Sequence, residues 1–192
     1  MTQKELYEAI SRGNVDKVHA IIKTNPDLLT QSPDWLHNAA HYGQLDIVNL
    51  LLESGLEINS EAGIHGTPLD TAASEGHLEV VRTLLKKGAS LQVPRPDRNP
   101  LFSAIFGGHG LVAKLLLEAG MDPHVVYRSA SGKLKNALSY AQERRRTEIA
   151  ELLLKAGCHL PVEGDDKPVW QPEFFEWYFQ RQREHQQKMA AT

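Results

Sequence analysis

Apolar residues recur along the chain in short helical blocks that end at a glycine. In residues 66–88 the first block places Leu69, Ala72 and Ala73 on one helical face, where small side chains let two helices approach closely. The second block repeats apolar residues at helical spacing, at Leu78, Val81, Leu84 and Leu85. The pattern therefore predicts a pair of short helices that share an apolar face.

Residues that favour helix ends mark where these two helices begin and stop. Thr67 suits the N-cap of the first helix, and Pro68 suits its first position, where the missing N–H is not needed. Gly76 and Gly88 end the two helices, because glycine adopts the left-handed conformation at little cost. The order predicted is a helix, a tight turn, a second helix and then a loop.

The same arrangement returns along the chain at nearly constant spacing. Segments related to Gly-His-Leu-Glu-Val-Val at 76–81 begin at residues 13, 43, 108 and 145, so successive offsets are 30, 33, 32 and 37 residues. A leucine-rich or isoleucine-rich stretch closes the units at Asn25, Gly55, Gly88, Gly120 and Gly157. One helix pair cannot bury its apolar face alone, so neighbouring units must stack on it. We number the units one to five, and they cover about residues 3–160.

Short motifs at the start of the first helices show a family likeness. The segment 66–73 reads Gly-Thr-Pro-Leu-Asp-Thr-Ala-Ala, and weaker versions start at Asn99 and Asn136. This motif resembles the Thr-Pro-Leu-His-x-Ala-Ala signature of ankyrin repeats, with Asp70 in place of the histidine that unit two keeps as His37. The resemblance implies an all-α, elongated and slightly curved solenoid with β-turn fingers and a concave face. It also implies protein binding far more often than catalysis.

Three features depart from the repeat pattern. Unit one has polar residues along its first helix, which predicts an N-terminal cap with a polar outer face. Arg145 stands where a glycine is expected and forms a basic turn with Arg144 and Arg146, either a solvated charge run or a patch for an acidic partner. The connection from Gly120 to Asn136 is four or five residues longer than its neighbours, which fits either a binding loop or a tolerated insertion.

The resemblance implies that the two residues before each helix-ending position face the concave groove. The candidates for partner contact at these positions are His41, Tyr42, Glu75, Phe106 and Arg144. Tyr42 and Phe106 lead this set, because aromatic side chains and arginines dominate the energetics of interfaces. For Phe106 the competing interpretation is that its ring packs under the neighbouring finger.

The finger loops supply a second set of candidate contacts. The finger at 93–100 contains three prolines, which stiffen the loop and lower the ordering cost of binding, although a rigid turn explains them equally well. Trp35 stands where proline is usual, and it either borders the groove or packs inward. The finger-tip candidates are Ile64, Arg95, Asp97, Arg98, Tyr127 and Arg128.

The repeat pattern stops after residue 160. Residues 161–172 are predicted to be an irregular linker, because proline and glycine recur in them. Residues 173–190 are predicted to form a helix packed on the last repeat. Six of the 13 aromatic residues lie between Trp170 and Phe179, and such a cluster would be poorly soluble if left bare. The alternative is that part of the cluster docks a partner or a second copy of the chain.

Composition narrows the classes of partner. The net charge of −3 over 192 residues gives no electrostatic argument for nucleic-acid binding. The single cysteine fits a reducing compartment, and no secretory signal is visible. No apolar run reaches the length of about 18 residues that a membrane span needs. We therefore expect a cytoplasmic protein with no nucleic-acid or membrane partner.

Residues with catalytic or metal-binding potential are few. His37 and His41 have the i, i+4 spacing that can place two metal ligands on one helix face, but no cysteine or carboxylate cluster accompanies them. Cys158 and His159 form a lone pair, and packing of a small residue explains the cysteine better than a catalytic thiol does. No phosphate loop, dinucleotide fingerprint or nucleophile elbow is present. We therefore expect no enzyme activity, no metal and no cofactor.

The predicted function is protein binding without catalysis. A protein partner would bind to the concave face and the finger loops of a stack that is a monomer on its own. A narrower version of this hypothesis is an inhibitor or immunity-type protein that blocks its partner. The alternative is a structural or assembly protein that self-associates through the aromatic C-terminal helix.

Overall fold

Ten α-helices in five pairs make up the repeat units of the computed structural model, which describes residues 2–32, 34–61, 66–92, 99–129 and 132–162. The first helices of the units are α1 (Gln3–Ser11), α3 (Trp35–His41), α5 (Pro68–Glu75), α7 (Pro100–Gly107) and α9 (Ala137–Glu143). The second helices are α2 (Val15–Thr24), α4 (Leu45–Glu53), α6 (Leu78–Lys86), α8 (Gly110–Glu118) and α10 (Thr147–Lys155). A 3₁₀ helix (Pro26–Leu29) and two strands, β1 (Tyr127–Arg128) and β2 (Leu134–Lys135), lie in the connections. The predicted all-α repeat architecture is confirmed.

Capping residues in the sequence set the start of the first helices. The Thr67 hydroxyl accepts a hydrogen bond from the backbone N–H of Asp70 at 3.2 Å, and Pro68 is the first residue of α5. Asn99 and Asn136 cap α7 and α9 with their side-chain oxygens in the same manner. Each cap satisfies one of the backbone donors that a helix start leaves free.

One apolar core runs through the stacked units. Each first helix packs on the first helix of the next unit, and each second helix packs on the next second helix. In α5 the buried residues include Leu69, Ala72 and Ala73, as the sequence pattern predicts. The largest fully buried side chains come from all five units: Leu6, Ile10, Leu36, Ile47, Leu51, Leu69, Leu84, Leu101, Ile105, Leu116, Leu138 and Leu153.

The signature positions of units two and three tie each of these units to the following one. Nε2 of His37 donates to the carbonyl oxygen of Gly66 at 3.0 Å. Asp70, at the equivalent position of unit three, accepts a hydrogen bond from the Ser103 hydroxyl at 2.5 Å. His37 as a donor and Asp70 as an acceptor therefore each join two units through a hydrogen bond. Trp35 packs inward, since it is 4% exposed and its Nε1 donates to a carbonyl of the 3₁₀ helix at 2.8 Å.

The long connection between units four and five contains an antiparallel hairpin. Strand β1 pairs with β2 so that Tyr127 lies opposite Lys135. The Tyr127 ring is 6% exposed and meets the ring of Phe102 edge to face, with centroids 5.6 Å apart. The prediction that Tyr127 is a finger-tip contact is therefore wrong, because the connection lays the ring on α7 as part of the core. Nζ of Lys135 contacts the Glu143 carboxylate at 2.7 Å and fixes the hairpin to α9.

Two predicted segments fall outside the described residues. Only Pro161 and Val162 of the predicted linker 161–172 are described, and the predicted helix 173–190 is not described at all. Both segments therefore stay predictions. Within the described ranges the longest helix has 10 residues, and none of the helices is long and apolar enough to cross a bilayer.

Candidate protein-binding surface

A strip of ten residues follows the C-terminal ends of the five first helices. In each unit it consists of the two residues before the helix-ending position, and all of them are half-buried or exposed. We call this surface the groove strip. Its members are Ser11, Arg12, His41, Tyr42, Ser74, Glu75, Phe106, Gly107, Glu143 and Arg144.

Tyr42 is joined to unit one by Tyr7, a residue that lies outside the signature motifs. The Tyr42 hydroxyl lies 2.6 Å from the hydroxyl of Tyr7, and the two rings meet edge to face at 6.2 Å. Burial and this hydrogen bond raise the pKa of Tyr42 to about 12, so the phenol is neutral at physiological pH. Tyr7 precedes Ser11 by four residues, the spacing that places two side chains on one helix face. That spacing is the signal that could have found Tyr7.

His41 and Glu75 join units two and three. Nδ1 of His41 lies 3.3 Å from Oε1 of Glu75, and the side chains are 42% and 37% exposed. The hydrogen bond to Glu75 raises the pKa of His41, and the same bond lowers the pKa of Glu75. The His41 ring also meets the Tyr42 ring edge to face at 4.8 Å. These two candidates therefore form a cross-unit ion pair whose strength depends on protonation.

Phe106 and Arg144 join units four and five. Cζ of Arg144 lies 4.4 Å from the centroid of the Phe106 ring and 5.3 Å from that of Tyr140. A cation over an aromatic face is worth about 0.5–1 kcal/mol at an exposed site. Phe106 is also partly buried against the core. Its ring therefore lies between the core and the guanidinium, and only part of it is accessible to a partner.

A ladder of hydrogen bonds between units holds the backbone of the groove strip. In units two to five, the side chain after the helix-ending position donates to the carbonyl of the first strip residue in the preceding unit. His77 Nε2 donates to the carbonyl of His41 at 2.7 Å, and His109 Nε2 donates to the strip carbonyl of unit three at 3.0 Å. Gln44 and Arg146 make the equivalent bonds at 3.4 and 3.0 Å. The ladder therefore fixes each strip residue relative to the next unit.

The ladder also explains why units one to four have glycine at the helix-ending position. Gly76 has a φ of 80°, and a Cβ atom there would collide with the ring of His109 from the next unit. A residue without a side chain leaves room for that ring. Arg145, at φ 56°, is the only non-glycine residue with positive φ in the described ranges, and no described unit follows it. Arg145 therefore marks the end of the ladder.

Comparison with known proteins identifies the repeat. A family model described as ankyrin repeats, in three copies, matches residues 6–95. This chain therefore contains ankyrin repeats. The ankyrin match reaches into the finger that follows unit three, and helices α7 to α10 continue the same arrangement of helix pairs.

Several relatives carry similar ankyrin segments. A putative ankyrin repeat-containing protein of Treponema pallidum is 36% identical over 120 residues, which are 61% of this chain and 39% of the relative. Ankyrin repeat and SOCS box protein 11 of Danio rerio is 36% identical over 137 residues, or 71% of this chain and 44% of that protein. Transient receptor potential cation channel subfamily A member 1 of Homo sapiens is 33% identical over 122 residues, which are 60% of this chain and 11% of that protein. The chain therefore spans less than half the length of each relative.

The structure describes all of the helix-end candidates but few of the finger-tip candidates. Ile64, Arg95, Asp97 and Arg98 lie outside the described residues. Tyr127 is buried, and Arg128 is described only by its backbone in β1. The groove strip is therefore the part of the predicted binding surface whose geometry is known.

The histidine pair and the cysteine are engaged in structural contacts. His37 bonds to a backbone carbonyl, whereas His41 pairs with Glu75 of the next unit. Cys158 is 2% exposed and donates to the carbonyl of Pro123 at 3.3 Å. Burial raises the pKa of the Cys158 thiol, whereas an activated thiol has a lowered pKa. In the part of the chain that the structure describes, no group of three potential metal ligands comes together.

Proposed function

We propose that this ankyrin chain binds a protein partner through the groove strip and the adjoining fingers, without catalysing a reaction. Ankyrin repeats are in general protein–protein interaction modules. The observation that carries the proposal is that strip residues of neighbouring units contact one another, at His41 with Glu75 and at Phe106 with Arg144. Such contacts hold side chains in place before a partner arrives, which lowers the ordering cost of binding.

The groove strip offers a partner three kinds of contact. Tyr42, whose phenol is neutral, and its neighbour Tyr7 present two hydroxyls at the first units. Glu75 presents a carboxylate at the centre, and Arg144 presents a cation over an apolar ring at the far end. Tyrosine, phenylalanine and arginine are enriched at protein interfaces. A partner segment laid along the stack would therefore meet hydrogen-bonding, acidic and aromatic-cationic positions in that order.

The narrower proposal is that binding blocks the partner. Every described α-helix belongs to the stack, so the proposed means of action is occupancy of a partner surface. An enzyme recovered as the partner should then lose activity as this protein is added. Activity that survives saturating amounts would contradict the inhibitor role and leave the binding role standing. We further propose a cytoplasmic monomer without a nucleic-acid partner, which the unpaired Cys158 and the net charge of −3 support.

Pull-down from the native host with matched variants tests the binding surface. Replacing Tyr42 and Phe106 by alanine should weaken capture of the partner by about tenfold or more, while circular dichroism shows the helices intact. Leu111→Ala is the control, because Leu111 is 69% exposed on α8 and lies outside the groove strip. It should bind like the native chain.

Two outcomes would contradict the proposed surface. One is full capture by the double variant, and the other is an equal loss of capture by the Leu111 control. If the double variant unfolds, its rings are part of the core, and Glu75→Arg then carries the test. This variant reverses a charge on a side chain that is 37% exposed, so the fold should tolerate it.

A further inference from the structure

The last described unit ends in an apolar face that the internal units do not expose. Leu154 of α10 is 55% exposed, whereas the residues at its position in units two to four are partly buried against the core: Leu52, Leu85 and Leu117. Leu160 is 49% exposed, whereas two residues at its position are partly buried: Ile58 and Leu91. In the interior of the stack, each second helix packs on the second helix of the following unit. We call Leu154, Leu160 and Val162 the end face.

A further unit of the same kind does not suit the end face. At the equivalent position of units one to four, a glycine makes room for the ladder side chain of the next unit. Unit five has Arg145 there, with the same positive φ, so its Cβ takes the space that glycine leaves to a ladder group in the other units. An occupant of the end face therefore has a different shape from an ankyrin unit.

We propose that residues 173–190 of this chain pack on the end face as an amphipathic helix and take the place of a sixth unit. The described chain leaves the stack at this face, through Leu160 and Val162, and Val162 is 61% exposed. Residues 163–172 provide ten residues of connection. An extended stretch of that length reaches about 33 Å, whereas a nine-residue helix is about 14 Å long. The segment can therefore reach every part of the face.

The composition of the segment matches what the end face needs. Pro172 suits the first turn of a helix, and five aromatic residues follow it: Phe174, Phe175, Trp177, Tyr178 and Phe179. An aromatic side chain can bury about 150–250 Å². Packing this cluster against leucine and valine removes both apolar surfaces from water. The proposal does not depend on the groove strip, so the two can fail separately.

Tryptophan fluorescence of the full chain tests this docking. Trp177 lies in the segment and Trp170 beside it, whereas Trp35 is 4% exposed in the core and stays shielded. Leu154→Asp should shift the tryptophan emission to longer wavelength and increase quenching by iodide, because the segment loses the apolar surface on which it packs. The same variant should lower Tm by about 4 °C. Phe175→Asp should reproduce these changes, and the two substitutions together should add little.

A matched control separates docking from a general effect of charge. Leu111→Asp makes the same change at a leucine that is 69% exposed on α8 and is not part of the end face. It should leave emission, quenching and Tm unchanged. Equal effects of Leu111→Asp and Leu154→Asp, or no effect of either, would overturn the proposal. Light scattering that finds a dimer which Leu154→Asp dissociates would assign the end face to a second copy of the chain and also overturn it.

Discussion

Nε2 of His77 in unit three donates a hydrogen bond to the backbone carbonyl of His41 in unit two, 2.7 Å away. His77→Ala leaves that carbonyl without its donor and should lower the free energy of unfolding by about 1–2 kcal/mol. Urea denaturation measures the loss. His19→Ala is the control, because His19 is exposed on α2, and it should change stability little. Equal stability of the two variants would mean that the ladder bond makes no net contribution.

Gly76 and Gly88 share a left-handed backbone but have different surroundings. Their φ angles are 80° and 91°, yet a Cβ at Gly76 would collide with His109 whereas a Cβ at Gly88 would meet nothing within 4 Å. Gly88→Ala should therefore cost about 0.5–1 kcal/mol, because the left-handed conformation costs alanine about 1–2 kcal/mol and the lower freedom of alanine in the unfolded chain returns about 0.5–1 kcal/mol. Gly76→Ala should cost about 1–3 kcal/mol more, because overpacking is added. Thermal denaturation measures the loss of stability in each variant. Equal losses in the two variants would contradict this account.

The repeated helix pairs could be predicted from the sequence because local signals and long-range packing agree there. In unit three the N-cap Thr67, the helix-ending Gly76 and the apolar residues of α5 all indicate the same helix. The ladder was harder to predict. Its donors are glutamine, histidine, histidine and arginine, and these residue types share only their position after the helix end and their ability to donate.

Aromatic residues were harder to place than the helices. Tyr127 belongs to the long connection, and only the three-dimensional course of that connection shows that its ring lies on Phe102. Tyr7 lies in unit one, which lacks the signature motif, so its hydrogen bond to Tyr42 had no motif to indicate it. In both cases the decisive contact joins neighbouring units and depends on how they stack.

The His41–Glu75 pair makes stability depend on pH within a limited window. The pKa of His41 is raised above 6.5, so its contribution to the free energy of unfolding is complete below pH 6.5 and is lost as the pH rises through the folded pKa. The pKa of Glu75 is lowered below 4.5, so its contribution is complete above pH 4.5 and is lost as pH falls through the folded pKa. The pair therefore contributes most between about pH 4.5 and 6.5. Solvent screening keeps that contribution below about 1 kcal/mol.

The difference in the free energy of unfolding between the native chain and Glu75→Gln measures this contribution. The free energy of unfolding should fall more on substitution at about pH 5.5 than at about pH 8.5, where His41 has lost its proton. Glu57→Gln is the control at an exposed carboxylate, and its effect should be the same at both pH values. A difference between native chain and Glu75→Gln that does not change with pH would contradict the coupling to His41.

Arg145 carries backbone strain that glycine would relieve. Its φ of 56° costs a residue with a Cβ atom about 1–2 kcal/mol, whereas glycine adopts the conformation freely. The greater freedom of glycine in the unfolded chain returns about 0.5–1 kcal/mol of that gain. Arg145→Gly should therefore raise the free energy of unfolding in urea by about 0.5–1 kcal/mol. Arg144→Gly is the control: Arg144 has a φ of −82°, and the substitution removes its ring contacts, so it should lower the free energy of unfolding. A lower free energy of unfolding in both variants would show that the Arg145 side chain contributes more than its backbone strain costs.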